Sequence, residues 1–176
     1  MKEKSDKIFS YSDLTPKIND SVFLAPGSKI IGDVTIAENT SIWFNSVVRG
    51  DVNHIIIGKM TNVQDLSMLH VTKETYPLII GNNVTIGHSV TLHGCTLKNN
   101  CFIGMGATIL EGAVVEQNSM VAAGALVKQN FIVPGGKLVA GVPAKVIRDL
   151  SADEIDNIQA SAKRYKKYAE ISSQSI

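Results

Sequence analysis

Along most of this chain an aliphatic residue returns at every sixth position, separated by mainly polar or small residues. The series runs Ile18, Leu24, Ile30, Ile36, Ile42 and Val48, then Ile57, Val63 and Leu69, then Ile80, Ile86 and Leu92, then Leu97, Ile103, Ile109, Val115, Val121 and Val127. Four positions after most of them stands a small residue or Val, as at Ser28, Val34, Thr40, Ser46, Ala107 and Ala113. A helix repeats near 3.6 residues and a half-buried strand at 2, so a period of six fits neither. It fits a solenoid, in which three repeats make one triangular turn, the aliphatic residues stack inward and successive turns lie ~4.8 Å apart like neighbouring strands. Eighteen repeats predict an all-β solenoid of about six turns, a parallel β-helix.

Two interruptions break the period: three residues from His54 to Ile56, and a longer excursion after Leu69 that carries HVTKETYPLI. Loops on a rigid scaffold are where function collects. After Val127 the repeat fades into VPGGKLVAGVPAKVIRDL. Ser151 and Glu154 then form a capping-box pattern ahead of Ile155, Ile158, Ala162, Tyr165 and Ile171, which predicts a C-terminal α-helix. The expected organisation is an N-terminal segment 1–17, a β-helix 18–133, an exit segment 134–150, a helix 151–172 and a tail 173–176.

Composition narrows the class. With 17 basic and 16 acidic residues the net charge is +1, which offers no overall attraction for nucleic acid or an anionic membrane. No apolar run approaches the ~20 residues of a membrane span, and a cytoplasmic protein is expected. Aromatic residues make up only 6%, so the core must be aliphatic. Cys95 and Cys101 are too few for a disulfide framework and are not spaced as CxxC; both are expected as buried thiols.

Grouping the repeats in threes gives each side chain a face. His70 follows Leu69 and His93 follows Leu92, so both occupy the same outward position in consecutive turns, one above the other. Arg49, after Val48, falls in that column one turn below. His88 lies in the second repeat of its turn, beyond a corner of the triangle. One chain cannot easily unite the three, whereas a threefold packing of coils would press the His70 and His93 edge of one copy against the His88 edge of the next. The spacing thus predicts a homotrimer with shared sites. Three imidazoles with an open fourth position are the arrangement of a catalytic zinc, and suit Fe(II) or Co(II) as well. His54 has no such partners and reads as a surface residue.

The segments VVRGDVNHIIIGKMTNVQDLSMLHV and IGNNVTIGHSVTLHGCTLKNNCFIGMGA carry RGD, TNVQD and an HxxxxH in order. With them, about residues 18 to 148 resemble the gamma-class carbonic anhydrases, and the repeat resembles the hexapeptide-repeat family, whose coil is left-handed. The resemblance implies zinc ligands His70, His88 and His93, with Gln64 bonded to the metal-held hydroxide and Asn62 beside it helping to position CO2 or the same oxygen. It implies that Arg49, Asp51 and Asp65 form ion pairs across the trimer interface, and that CO2 and bicarbonate are the substrate pair. Val52 and Lys73 stand where the archaeal prototype carries glutamates for proton transfer; Glu74 is adjacent to the second and is a candidate substitute. Tyr165 falls where relatives carry a tyrosine on the terminal helix. Three other functions share this scaffold: an acyltransferase using a histidine base and an acyl-CoA donor, a metal-dependent hydrolase of a CoA thioester, and a metal-binding trimer with little turnover.

Overall fold

A computed structural model describes residues 6–176. Residues 1–5 of the expected N-terminal segment 1–17 lie outside the described residues. The chain winds as a three-faced parallel β-solenoid and ends in one helix, Ala152–Ser173. Two long strands, Lys29–Ile36 and Val47–Ile57, bend round a corner and each serve two faces. On the first face they join Ile8–Phe9 below and Met68–His70, Thr91–His93, Thr108–Ile109 and Leu126–Val127 above. The second face contains Lys17–Ile18, Leu78–Ile80, Thr96–Leu97, Val114–Val115 and Ile132–Val133. The third face stacks Phe23–Leu24, Ser41–Ile42, Asn62–Val63, Thr85–Ile86, Phe102–Ile103, Met120–Val121 and Lys137–Ala140.

Each face therefore holds seven rungs, and the coil has about seven turns where the period predicts about six. The additional rungs lie at the ends. Ile8 stands ten residues ahead of Ile18, outside the period, and Val133 and Val139 continue the six-residue step from Val127 among glycines and prolines that hide it.

The inward column is fully aliphatic: Ile30, Val48, Leu69, Leu92, Ile109 and Val127 are all buried on the first face. In-register stacking excludes water from a core too slender for rings, and burial of each Leu or Ile contributes about 1.5–3 kcal/mol. Cys95 and Cys101 belong to this core, and burial pushes both thiols up to about 12, so they are inert packing groups. At the far end the exit segment reverses direction: Lys137–Ala140 pairs antiparallel with Lys145–Asp149, which stops further parallel stacking.

The helix lies across the third face, packed on Phe23–Leu24, Ser41–Ile42, Asn62–Val63 and Thr85–Ile86. Its buried residues are Ile158, Ser161, Ala162 and Ala169. Of the other stripe positions, Ile155 is half-buried and Ile171 is exposed in the single chain. Small residues let the helix approach the sheet closely, and Ser161 faces the sheet because the Thr85 hydroxyl meets it there. Among the described residues no helix is long and apolar enough to cross a membrane.

The helix start is capped as its sequence pattern predicts. Ser151 Oγ accepts from the Glu154 backbone N–H, and Glu154 in turn accepts from the Ser151 backbone N–H. Arg148 donates both of its terminal nitrogens to Glu154 and holds that carboxyl down to about 2. A depressed carboxylate stabilises the fold above its unfolded value of ~4.3 and loses that contribution as pH falls through the folded value. Ser151→Ala should lower the unfolding midpoint by an amount equivalent to about 1 kcal/mol. In thermal melts at descending pH the wild type should keep most of its cap advantage at pH ~4 and lose it progressively as the pH falls from there to ~2.

Candidate active site

The first face carries a column of facing polar side chains that runs up four turns. Arg49 Nη1 donates to Asp51 Oδ2. The other oxygen of Asp51 bonds His70 Nε2 at 2.9 Å, and His70 Nδ1 faces His93 Nε2 at 3.1 Å. One turn higher, Glu111 Oε1 lies 2.8 Å from His93 Nδ1. The two histidines are direct register partners, as their shared column requires, and Arg49 stands one turn below. Burial raises the Asp51 carboxyl, but the hydrogen bonds from His70 and Arg49 outweigh it and bring the group below its ordinary value.

This arrangement decides the tautomers. A carboxylate only accepts, so Asp51 draws the His70 proton to Nε2 and Glu111 draws the His93 proton to Nδ1, where the Thr72 hydroxyl oxygen, 3.4 Å away, accepts the same proton more weakly. The remaining nitrogens, His70 Nδ1 and His93 Nε2, are then two lone pairs facing each other across 3.1 Å. With both rings neutral no hydrogen bond forms between them, whereas a cation sharing the two lone pairs removes the repulsion. Two nitrogens each ~2.0–2.1 Å from a tetrahedral zinc stand roughly 3.3 Å apart, so a metal fits the pair. Carboxylates on the far nitrogens are the usual supports of ligating histidines.

His88 is elsewhere. It sits at the corner between the third and first faces, in a vertical column with Phe44, Asp65 and Met105, tied by backbone bonds such as Ser89 to Asp65 and Gly106 to His88. Its Nδ1 lies 2.7 Å from Asp65 Oδ2, which leaves Nε2 free on a half-exposed ring. Within one chain the three histidines do not meet, and among the described residues no three His, Cys, Asp or Glu side chains form a complete metal site. The corner next to His88 is strained and exposed. Leu66 is 64% exposed and held at φ 60, a left-handed conformation that costs an ordinary residue about 1–2 kcal/mol. Met105, in the same corner, is 61% exposed.

Gln64 and Asn62 lie on the third face and are buried under the helix. Gln64 Nε2 donates to Asn62 Oδ1 at 3.1 Å, and Asn62 Nδ2 donates to Thr85 Oγ1 at 2.9 Å. Tyr165 packs edge-on against Trp43, with ring centres 5.6 Å apart. Burial, with Asp65 nearby, raises its phenol above the ordinary value. Trp43, Tyr165, Tyr168 and Ile171 wall a cavity of about 320 Å³ that opens on Asp65 and His88. Glu74 stands apart from these groups: its side chain is 81% exposed and its charged neighbour is Lys73.

Glu111 was not among the residues the sequence singled out. It follows Ile109 by two positions where each histidine follows its aliphatic residue by one, so the column count passes it by. An acidic residue one turn above a histidine column was the available signal.

The repeats match the model of bacterial transferase hexapeptide (six repeats) over residues 15–50 and 94–129, and that of the hexapeptide repeat of succinyl-transferase over 77–110. "Gamma carbonic anhydrase 2, mitochondrial" of Arabidopsis thaliana is 49% identical over 164 residues, covering 90% of this chain. This chain spans 59% of that relative's length. "Probable carbonic anhydrase" of Methanocaldococcus jannaschii is 48% identical over 87% of this chain and 96% of its own. The chain belongs to the gamma carbonic anhydrase family. A Bacillus cereus structure, provisionally described as an acetyltransferase, superposes with a TM-score of 0.94 at 41% identity, covering 97% of this gamma-family chain and 98% of that one.

Proposed function

We propose that this protein is a metal-dependent carbonic anhydrase-like enzyme that interconverts CO2 and bicarbonate at sites shared between the copies of a homotrimer. The observation that carries the reading is the split of the histidines: a preset His70 and His93 pair on one face, and a His88 with a free Nε2 on another edge of the coil. Exposed apolar residues border both halves, Leu66 and Met105 beside His88 and Met68 beside His70, as an interface requires.

His70 and His93 of one copy and His88 of its neighbour would hold the metal, zinc first, with Fe2+ or Co2+ suited to the same imidazoles. When bound, such an ion lowers the pKa of a coordinated water to about 7 and so supplies a nucleophile at neutral pH. Asp51, Asp65 and Glu111 keep the three rings in the tautomers that offer lone pairs to it. Gln64, held by Asn62, presents its amide to the reacting oxygen. Asp65 travels with His88 into the neighbour's first face, where Arg49 and Asp51 are placed to form the interface ion pairs. Val52 and Lys73 carry no carboxylate, and Glu74 points to solvent, so the proton leaves through buffer or water. A second reading, hydrolysis of a CoA thioester, is favoured by the cavity of about 320 Å³ beside His88, which has room for far more than CO2.

Paired assays of metal-replete and metal-stripped protein should show CO2 hydration only in the former. Absence of hydration by fully loaded trimer, with turnover of a thioester, would replace the first reading by the second. Mixed trimers reassembled from His70→Ala and His88→Ala chains should recover part of the metal binding that each variant lacks alone. No recovery in verified mixed trimers would refute shared sites.

The carboxylate supports make their own prediction. Glu111→Ala should weaken zinc binding, read by chelator competition, about 10–100-fold. Glu111→Asp should retain much of the affinity.

A further inference from the structure

The last strand of the coil leaves an edge open. Lys145–Asp149 pairs on one side with Lys137–Ala140, and among the described residues no strand pairs with its other side. A strand with a single neighbour turns half of its backbone N–H and C=O groups outward, and all five residues here are exposed. Large apolar side chains gather at the same end of the coil, where Ile132, Val142, Val146 and Ile147 are all exposed. Ile132 stands on the last rung of the second face, and Val142 lies between Gly141 and Ala144, which bond the backbone of Leu126 below.

Lysine and a bulge commonly guard such an edge, and both occur here, the bulge releasing Ile147 from the pairing register. A charge repels a second copy only if like meets like, and the sequence KVIRD decides that. Two copies joined edge to edge by a twofold axis run antiparallel, and the axis passes through a residue that faces its own copy. Centred on Val146, the pairing sets Lys145 against Ile147 and Asp149 against Pro143, which has no N–H to give. Centred on Arg148, it sets arginine against arginine and Asp149 against Ile147. Centred on Ile147, it sets Lys145 against Asp149 at both ends, Val146 against Arg148, and isoleucine against isoleucine in the middle. The charges are placed for that register. Lys145 is in no ion pair among the described residues, and Asp149, with a side chain 81% exposed, gives Oδ1 to Lys137 of its own chain and keeps Oδ2 for a second cation.

We propose that this edge pairs with the same edge of a second copy, in the antiparallel register centred on Ile147, and so joins two trimers end to end. One five-residue edge is small beside the ~1,200 Å² that a specific interface needs. In a threefold assembly the coils run in the same direction, so three edges lie at one end and act together. The doubled assembly rests on the homotrimer reading; the register of the edges does not. The first face continues through Thr108–Ile109 and Leu126–Val127 beyond His93, so the edge is remote from the histidines.

Sedimentation of the full-length protein over a dilution series should show a species of twice the trimer mass in equilibrium with the trimer. Lys145→Asp sets carboxylate against carboxylate, and Asp149→Lys ammonium against ammonium. Each should weaken the doubling at least about tenfold with zinc binding unchanged. Mixing the two variants should restore it, because their edges complement each other. Ile147→Cys places a thiol about 4.5–5.5 Å, Cα to Cα, from its own copy, within disulfide reach. With Cys95 and Cys101 buried, mild oxidation should link chains in pairs through position 147 and lock the doubled mass, whereas Val146→Cys and Arg148→Cys should stay unlinked. Wild type with the mass of the Lys145→Asp protein at every concentration, failure of the mixture to recover, or no link through position 147 would overturn the proposal. If the Lys145→Asp protein is not a trimer while doubling and cross-linking behave as stated, the edge pairing stands and the homotrimer reading falls. If it is a trimer and wild type never exceeds that mass, the proposal alone falls.

Discussion

Parallel stacking in strict register is the constraint on which everything else in this molecule depends. It places each residue over the residue of the same repeat position one turn away, ~4.8 Å distant. Like must therefore tolerate like. Aliphatic over aliphatic gives the core, and amide over amide gives a ladder in which Asn83 Nδ2 donates to Asn100 Oδ1 and Asn100 Nδ2 to Asn118 Oδ1. Serines at the small positions tie turn to turn, Ser46 to the Gln64 carbonyl and Ser67 to the Gly87 carbonyl. Histidine over histidine is the exception, because two neutral rings whose protons are both drawn outward have nothing to offer each other but lone pairs.

That conflict is what makes the first face chemical and not merely structural. A surface carboxylate beside a histidine is ordinarily worth little. Here Asp51 and Glu111 approach from opposite ends of one column, below His70 and above His93, and between them they leave an acceptor pair 3.1 Å apart. Neither carboxylate would have this consequence alone, since the unopposed ring would turn its N–H inward and the pair would close as an ordinary hydrogen bond.

How far the sequence could be read follows from this geometry. The period of six specifies the coil because the stacking constraint acts on every turn, and the column positions of Arg49, His70 and His93 follow directly from it. The separation of His88 followed from the same count. What the count could not reach lies where register shifts or where distant segments meet. Glu111 comes after the five-residue step from Leu92 to Leu97 and sits one place out of the column. Ser161 looks like an ordinary helix residue until the helix is laid on Thr85. Asn62 and Gln64 look like the exposed corner of a repeat, yet the helix buries them. The extra turn was hidden by glycine and proline around Val133 and Val139.

The position of the helix also explains why one face of the coil can be polar and still dry. Outward residues on an uncovered sheet face bond to water, but Ser41, Asn62, Thr85 and Gln64 are largely buried, and burying such groups unpaired would cost about 1–3 kcal/mol each. They avoid this by bonding one another, and Trp43 Nε1 to Ser41 Oγ belongs to the same arrangement. A network so enclosed has few alternative states, since reversing one amide would strand a donor or an acceptor elsewhere. The covered third face is therefore complete in itself, while the uncovered first face, with its facing lone pairs, and the exposed His88 corner remain open to what assembly and a cation bring. The helix thus keeps a polar face dry, and the coil leaves a coordination site unfinished.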